Sequence, residues 1–214
     1  MEKKVGKITV AMNEDQLLRD IEKYKKEAIQ LGATNATLVK AEEIPVEDAV
    51  VRKCQIPRCW GYGVSAHCPP HALKPAELRE WLKDYHWGLF FVRDLPTEIL
   101  LRDRKDKDRI AAYRSIFDIV NKLESMAFYD GHYLTFGFGA GSCKNSFCGQ
   151  HETCRALEGK SCRFSVLSRS SMEAVGINVY KMVASAGWEI YPIGRDAKPE
   201  DAPKGVLAGI VIVG

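Results

Sequence analysis

"GVLAGIVIVG" (Gly205–Gly214) is the longest apolar segment of the chain. It is well short of the roughly 18 apolar residues that a membrane-spanning helix needs. Its length and its run of Val and Ile suit a buried β-strand instead. "WGLFFVRDL" (Trp87–Leu95) is a second apolar strand of the same kind. Shorter strands are expected at Val5–Val10, Ala36–Val39, around Val50, at "HYLTFGF" (His132–Phe138) and at "WEIYPIG" (Trp188–Gly194). Helices alternate with them. Asn13 and Gln16 form a capping box, and Leu17, Ile21, Tyr24, Ala28 and Leu31 recur every three or four residues before Gly32. Pro75 opens a helix that runs to about Tyr85, and a long helix spans about Asp106 to Tyr129 with Ile110, Tyr113, Phe117 and Val120 on one face. A second capping box, Ser170 to Glu173, starts a helix over 171–186 with Val175, Val179, Met182 and Ala186 inward and Gly187 as its stop. The alternation predicts an α/β or α+β fold, with one mixed sheet and flanking helices, built as a single domain over residues 1–214.

Composition narrows the function. Of 214 residues, 46% are hydrophobic and 28% charged, as in an ordinary globular protein with a core of its own. Lys plus Arg is 31 against 28 for Asp plus Glu, and a net charge of +3 is too mild to argue for nucleic acid. The densest charge run, "RDRKDKDR" (Arg102–Arg109), alternates in sign and reads as a solvated helix face. "MEKKVGKITVAMNEDQ" at the start holds no apolar stretch of signal-peptide length, so a cytoplasmic protein with no membrane association is expected. Thiols stay reduced in that compartment, and an odd number of cysteines argues against a disulfide framework.

Those seven cysteines carry the chemistry, and they lie in two stretches. "CQIPRCWGYGVSAHCPPH" (Cys54–His71) has the spacing C-x4-C-x8-C at Cys54, Cys59 and Cys68. "GSCKNSFCGQHETCRALEGKSC" (Gly141–Cys162) has C-x4-C-x5-C-x7-C at Cys143, Cys148, Cys154 and Cys162. Three readings compete. Structural zinc takes four ligands from paired tight turns, but no C-x2-C occurs here and the x5 and x7 gaps break the pattern. A 4Fe–4S cube is wider than one ion, so longer and uneven gaps suit it, and ligation by four Cys is its common arrangement. Buried or incidental cysteine is the third reading, yet all seven fall in turn-rich segments and none on the apolar face of an expected helix. Cys68-Pro69-Pro70 resembles the Cys-Pro that closes ferredoxin ligand runs, and Gly137, Gly139, Gly141 and Gly149 could let backbone N–H groups approach the sulfurs.

Three thiolates leave one corner of a cube without Cys. His67 or His71 could fill it, although an ordinary side chain that touches no metal is the plainer reading of each; water, a substrate or a crossing cysteine are the other options. Both cysteine stretches follow expected strands, which predicts that the two metal-binding loops share one rim of the sheet. Weaker signals surround them. "GFGAG" (Gly137–Gly141) lacks the spacing and the following helix of a dinucleotide site. His132 and His151 form no hydrolase constellation by spacing. Arg155, Arg163 and Arg169 could balance thiolate charge, bind an anionic partner or simply be solvated. Trp60, Tyr62 and Phe147 could shield a cluster from water or belong to the core.

The two cysteine stretches, with the continuation "RFSVLSRSSMEAVGINVYKMVASAGWEIYPIG" (Arg163–Gly194), resemble a predicted metal-binding family of unknown function common in anaerobic bacteria and methanogenic archaea. The resemblance runs from about Lys53 to Gly194. It implies metal ligation by all seven cysteines, with iron–sulfur ahead of zinc, and implies no particular reaction. The expected function is an iron–sulfur protein with one or two 4Fe–4S clusters, acting in electron transfer or as a redox accessory, with a redox protein or a small molecule as partner. The alternatives are an enzyme that uses the non-Cys iron of the three-Cys cluster as a Lewis acid or sulfur-binding site, and a zinc-binding module.

Overall fold

The structure is a computed structural model, and it describes residues 5–8, 13–194 and 196–214. Two long strands form its centre: β2 (Trp87–Leu95) and β4 (Gly205–Val213) pair antiparallel, with Trp87 opposite Val213 and Leu95 opposite Gly205. β1 (Asn35–Lys40) lies antiparallel on the free edge of β2, and β3 (Phe136–Phe138) on the free edge of β4, giving the order β1-β2-β4-β3. The fold is therefore α+β, and its named ladders are all antiparallel rather than mixed; the parallel pairing recorded among the described residues is the isolated Gly139–Ser171 bridge.

The two central strands are apolar throughout because both faces of the sheet are covered. Leu89, Phe91, Val211 and Val213 face α1 (Glu14–Gln30) and α5 (Lys107–Asp130), meeting Leu17, Ile21, Tyr24, Ile116 and Val120. Phe90, Val92, Ile210 and Ile212 face the other way, onto Leu78 of α3 (Pro75–Trp81), Leu82, and the Met172–Val183 segment. Burying each such side chain contributes roughly 1.5–3 kcal/mol. The two covering helices are well capped. The Asn13 side chain accepts the N–H groups of Asp15 and Gln16, and the Asp106 side chain accepts those of Asp108 and Arg109. Gly131 closes α5 at φ 110°. Polar contacts tie the helices together: Tyr24 Oη donates to Asp130, Lys23 pairs with Asp130 at 2.7 Å, and buried His132 pairs with Asp20 at 3.0 Å. His132 thus serves the α1–α5 junction.

Several expected elements differ. The Val50 region is helix α2 (Asp48–Gln55) rather than a strand. None of its residues is buried, so Val50 and Val51 have no sheet to join. The strand expected over His132–Phe138 shrinks to its last three residues, with Tyr133 and Leu134 exposed. The helix expected over 171–186 is split. A 3-10 turn at Glu173–Val175 ends at Gly176, whose φ is 95°, and α7 (Val179–Ser185) restarts behind an Asn178 cap. "WEIYPIG" forms no strand; Trp188 stacks on Phe90 at 5.7 Å, so its apolar side is buried without a ladder. Of Val5–Val10, residues 5–8 carry no strand and 9–10 lie outside the described residues. Two short helices complete the chain, α4 (Thr97–Leu101) and α6 (Cys143–Phe147).

Candidate metal centre

The first cysteine stretch leaves the end of α2 and passes through turns to α3, so Cys54 sits on a helix and Cys59 and Cys68 on loops. The second leaves β3 through "GAGS" and enters α6 at Cys143. Glycine is required on that path. Gly141 has φ 69°, and a Cβ there would stand 2.6 Å from the Tyr113 ring. At Gly137 a Cβ would fall 2.5 Å from Val120 Cγ1. These glycines thus let β3 and its exit press against α5, and the backbone N–H groups recorded on sulfur come from elsewhere.

All seven cysteines are free thiols. The two stretches interlock. Cys68 Sγ lies 3.4 Å from Ser142 Oγ, and Cys143 Sγ donates to Ser65 Oγ at 3.8 Å. The N–H groups of Ala66, Ala156 and Leu157 lie close enough to Cys154 to favour its thiolate, and the Leu157 N–H donates to the Cys154 carbonyl at 3.0 Å. His67 directs Nε2 at Ser168 and Nδ1 at Ser170, both at 3.4 Å, and Ser168 in turn contacts Cys162 Sγ at 3.3 Å. Both ring nitrogens of His67 are therefore engaged with serines that follow the second stretch, while His71 is exposed.

Electrostatics sort the thiols into two groups. Burial, then the charges of Cys59, Cys68 and Glu173, push the Cys54 thiol up to about 11. Burial pushes Cys143 up to about 12; a hydrogen bond to Ser65 opposes this, while Cys68, Cys154 and Cys162 add to it. Cys148 is raised by burial and by Cys162 and Cys154, against the pull of Arg163 and Lys144. Cys154 goes the other way: burial raises it, but the three N–H donors and Arg163 outweigh that and lower it. Cys59 and Cys68 thus act on Cys54, Cys154 and Cys162 act on Cys143 and Cys148, and the action of Cys68 on Cys143 joins the two sets. Two further N–H groups reach sulfur at 3.4 Å, Gly61 to Cys59 and Phe164 to Cys162. Among the described residues, no three or more of His, Cys, Asp and Glu form a group that could hold a metal ion. Donor chemistry nevertheless fits a thiophilic centre: soft sulfur ligands, N–H groups aimed at them, and a guanidinium near the more exposed pair.

The arginines divide. Arg163 donates to the Thr153 carbonyl and acts on Cys148 and Cys154, so it balances thiolate charge. Arg169 forms a double contact with Glu124, at 2.9 Å through Nε and 2.5 Å through Nη2, and is thereby satisfied. Phe147, next to Cys148, packs between Phe117 and Phe164, at 5.2 and 5.6 Å.

Beside the three-cysteine group opens a cavity of about 320 Å³, with Cys54, Cys59 and Cys68 in its wall. Trp60 and Tyr62 line it with them, as do Arg104, Arg109 and Glu173. The sequence pattern hid these last three. Arg104 and Arg109 sit in the sign-alternating run, which the structure folds into the α4–α5 turn and the first turn of α5. Glu173 reads in sequence as a capping residue. The residue is exposed at the cavity, yet the protein packed around its carboxyl raises its pKa despite hydrogen bonds from its own N–H and Ser171.

No helix among the described residues is long and apolar enough to cross a membrane. The profile of the family described as "Predicted metal-binding protein (DUF2284)" matches residues 37–211. No curated protein and no solved structure matches the chain.

Proposed function

The chain belongs to this predicted metal-binding family, and from that premise we propose that it is an iron–sulfur redox protein of a reducing, cytoplasmic compartment. Cys143, Cys148, Cys154 and Cys162 hold one 4Fe–4S cluster, and Cys54, Cys59 and Cys68 hold a second. The observation that carries the reading is the interlocking of the two thiol groups through Cys68, Ser142, Ser65 and Cys143. Two cofactors that close pass electrons readily, and a redox protein is the fitting partner. The uneven cysteine spacings support a cube over a single ion, and the N–H groups on Cys154, Cys59 and Cys162 support sulfur held as thiolate. When bound, such clusters supply one-electron chemistry. The chain itself holds the sulfurs, donates hydrogen bonds that set their basicity, and stacks Phe147 and Phe164, near neighbours in sequence of Cys148 and Cys162, on each other.

One observation favours a second reading. The three-cysteine group forms part of a cavity wall, and no fourth cysteine lines that cavity. A centre held by three thiolates keeps a corner that a small molecule can take, and the cavity gives such a molecule a place to stand. In that reading the four-cysteine site delivers electrons and the three-cysteine site meets a substrate.

Serine replacements test the assignment. Cys143→Ser, Cys148→Ser, Cys154→Ser or Cys162→Ser should each remove about one cube, roughly half the iron and sulfide of the anaerobically purified protein. Full iron retention in all four variants would refute it.

A further inference from the structure

The cavity beside Cys54, Cys59 and Cys68 contains more than thiols. Arg104 and Arg109 both line it, and among the described residues neither is in an ion pair. The acidic residues nearest in sequence are used otherwise: Asp103 accepts the Lys105 N–H at 2.8 Å, and Asp106 and Asp108 pair with Arg102. Glu173, the carboxylate in the cavity wall, pairs with neither arginine. Two cations therefore face a partly apolar hollow, and neither is in direct contact with a carboxylate. They are also held in place. The Arg104 guanidinium lies over the Trp60 ring at 5.0 Å, and Arg109 lies over Tyr113 at 5.8 Å. Arg109 Nη1 donates to the Arg102 carbonyl, and Asn145 Nδ2 donates to the Arg104 carbonyl at 2.9 Å, fixing the turn. Stacking occupies one face of a guanidinium and leaves its edge donors for a planar acceptor.

The rest of the wall says what stands behind that acceptor. Leu100 of α4 and Val206, Leu207 and Ala208 of β4 give the hollow an apolar side. A strongly hydrated inorganic anion gains nothing from such a surface, whereas a molecule with an apolar body does. A volume of about 320 Å³ is at the small end of ligand cavities.

We propose that this cavity is a binding site for a small organic carboxylate with an apolar body, its carboxylate held by Arg104 and Arg109 and its body against β4, within reach of the three-cysteine centre. The site rests on the cavity's side chains and stands whichever metal the cysteines hold.

Equilibrium dialysis of the metal-loaded protein with labelled benzoate tests it, with benzamide, phenyl phosphate and inorganic phosphate as competitors. Benzoate should bind in a 1:1 ratio. Benzamide, which has the shape without the charge, should compete at least ~10-fold less well, since a charge-assisted hydrogen bond is roughly twice a neutral one. Arg104→Gln and Arg109→Gln should each weaken benzoate about 10-fold or more and leave benzamide unchanged. Lys122→Gln, an exposed change on α5, should leave both unchanged. Circular dichroism and metal content of each variant show whether fold and centre are intact; Arg104 is exposed in a turn, so at least that variant should fold. No benzoate binding, equal affinity for benzamide, tighter binding of either phosphate, or wild-type affinity in both arginine variants would overturn the proposal. Benzoate binding that persists in protein found to hold zinc would sustain it while refuting the iron–sulfur assignment.

Discussion

Cys54 and Cys143 keep their protons more tightly than a free thiol does, because burial and neighbouring thiols disfavour the charged form. A metal must displace those protons. With one thiol of the three-cysteine group pushed up to about 11 and one of the four-cysteine group to about 12, loading either centre near neutral pH releases at least one proton, and its apparent affinity should rise at least ~10-fold per pH unit. Competition titration with cobalt(II) as the probe between pH 6 and 8 measures this; an affinity independent of pH would contradict it. The sign for the metal-free fold is opposite. Its thiols match those of the unfolded chain below their ordinary 9.0, so stability should hold there and fall as pH climbs from 9.0 through 11 to 12. Cys143→Ser should remove part of that fall, read as the melting temperature of metal-free protein against pH. The cysteines themselves were legible in sequence as ligand candidates because their clustering needs no fold to be seen. Arg104, Arg109 and Glu173 were not, since only the α4–α5 turn and the break at Gly176 bring them to the same hollow as Cys54.

The elements separate into a sheet with its helices, which has its own core, and two cysteine loops, which do not. Leu17, Ile21, Ile116 and Val120 bury against β2 and β4, whereas α2 buries nothing and the 3-10 turn after Cys154 buries nothing. Residues 54–71 and 141–165 should therefore exchange their amide hydrogens much faster after metal removal, while α1 and α7 stay protected. Equal protection of the loops with and without metal would count against ligation by them. The strand β3 depends on close approach, so Gly137→Ala, which sets a Cβ 2.5 Å from Val120, should destabilise the fold by roughly 1–3 kcal/mol in urea unfolding. No change in midpoint would mean that α5 yields freely. The same elements show what local sequence carries. α1, α5, β2 and β4 were legible because caps, periodicity and continuous apolar runs are local. Val50–Val51 was misread because β-branched residues say "strand" only when a sheet edge is within reach, and "WEIYPIG" because burial against Phe90 replaces pairing.

At the scale of the molecule, the antiparallel sheet is a frame that holds two thiol groups against each other and one of them against a cavity. If the three-cysteine group keeps a corner without Cys, cyanide added to the reduced protein should alter the spectrum of that cluster and spare the four-cysteine one. Equal effects on both, or none, would argue against an exchangeable corner. The nature of the metal centre decides the whole account, and it is directly measurable as iron, zinc and acid-labile sulfide in protein purified without oxygen. Two cubes predict a brown protein with about eight iron and about eight sulfide per chain. A colourless protein that holds zinc and no sulfide would contradict it.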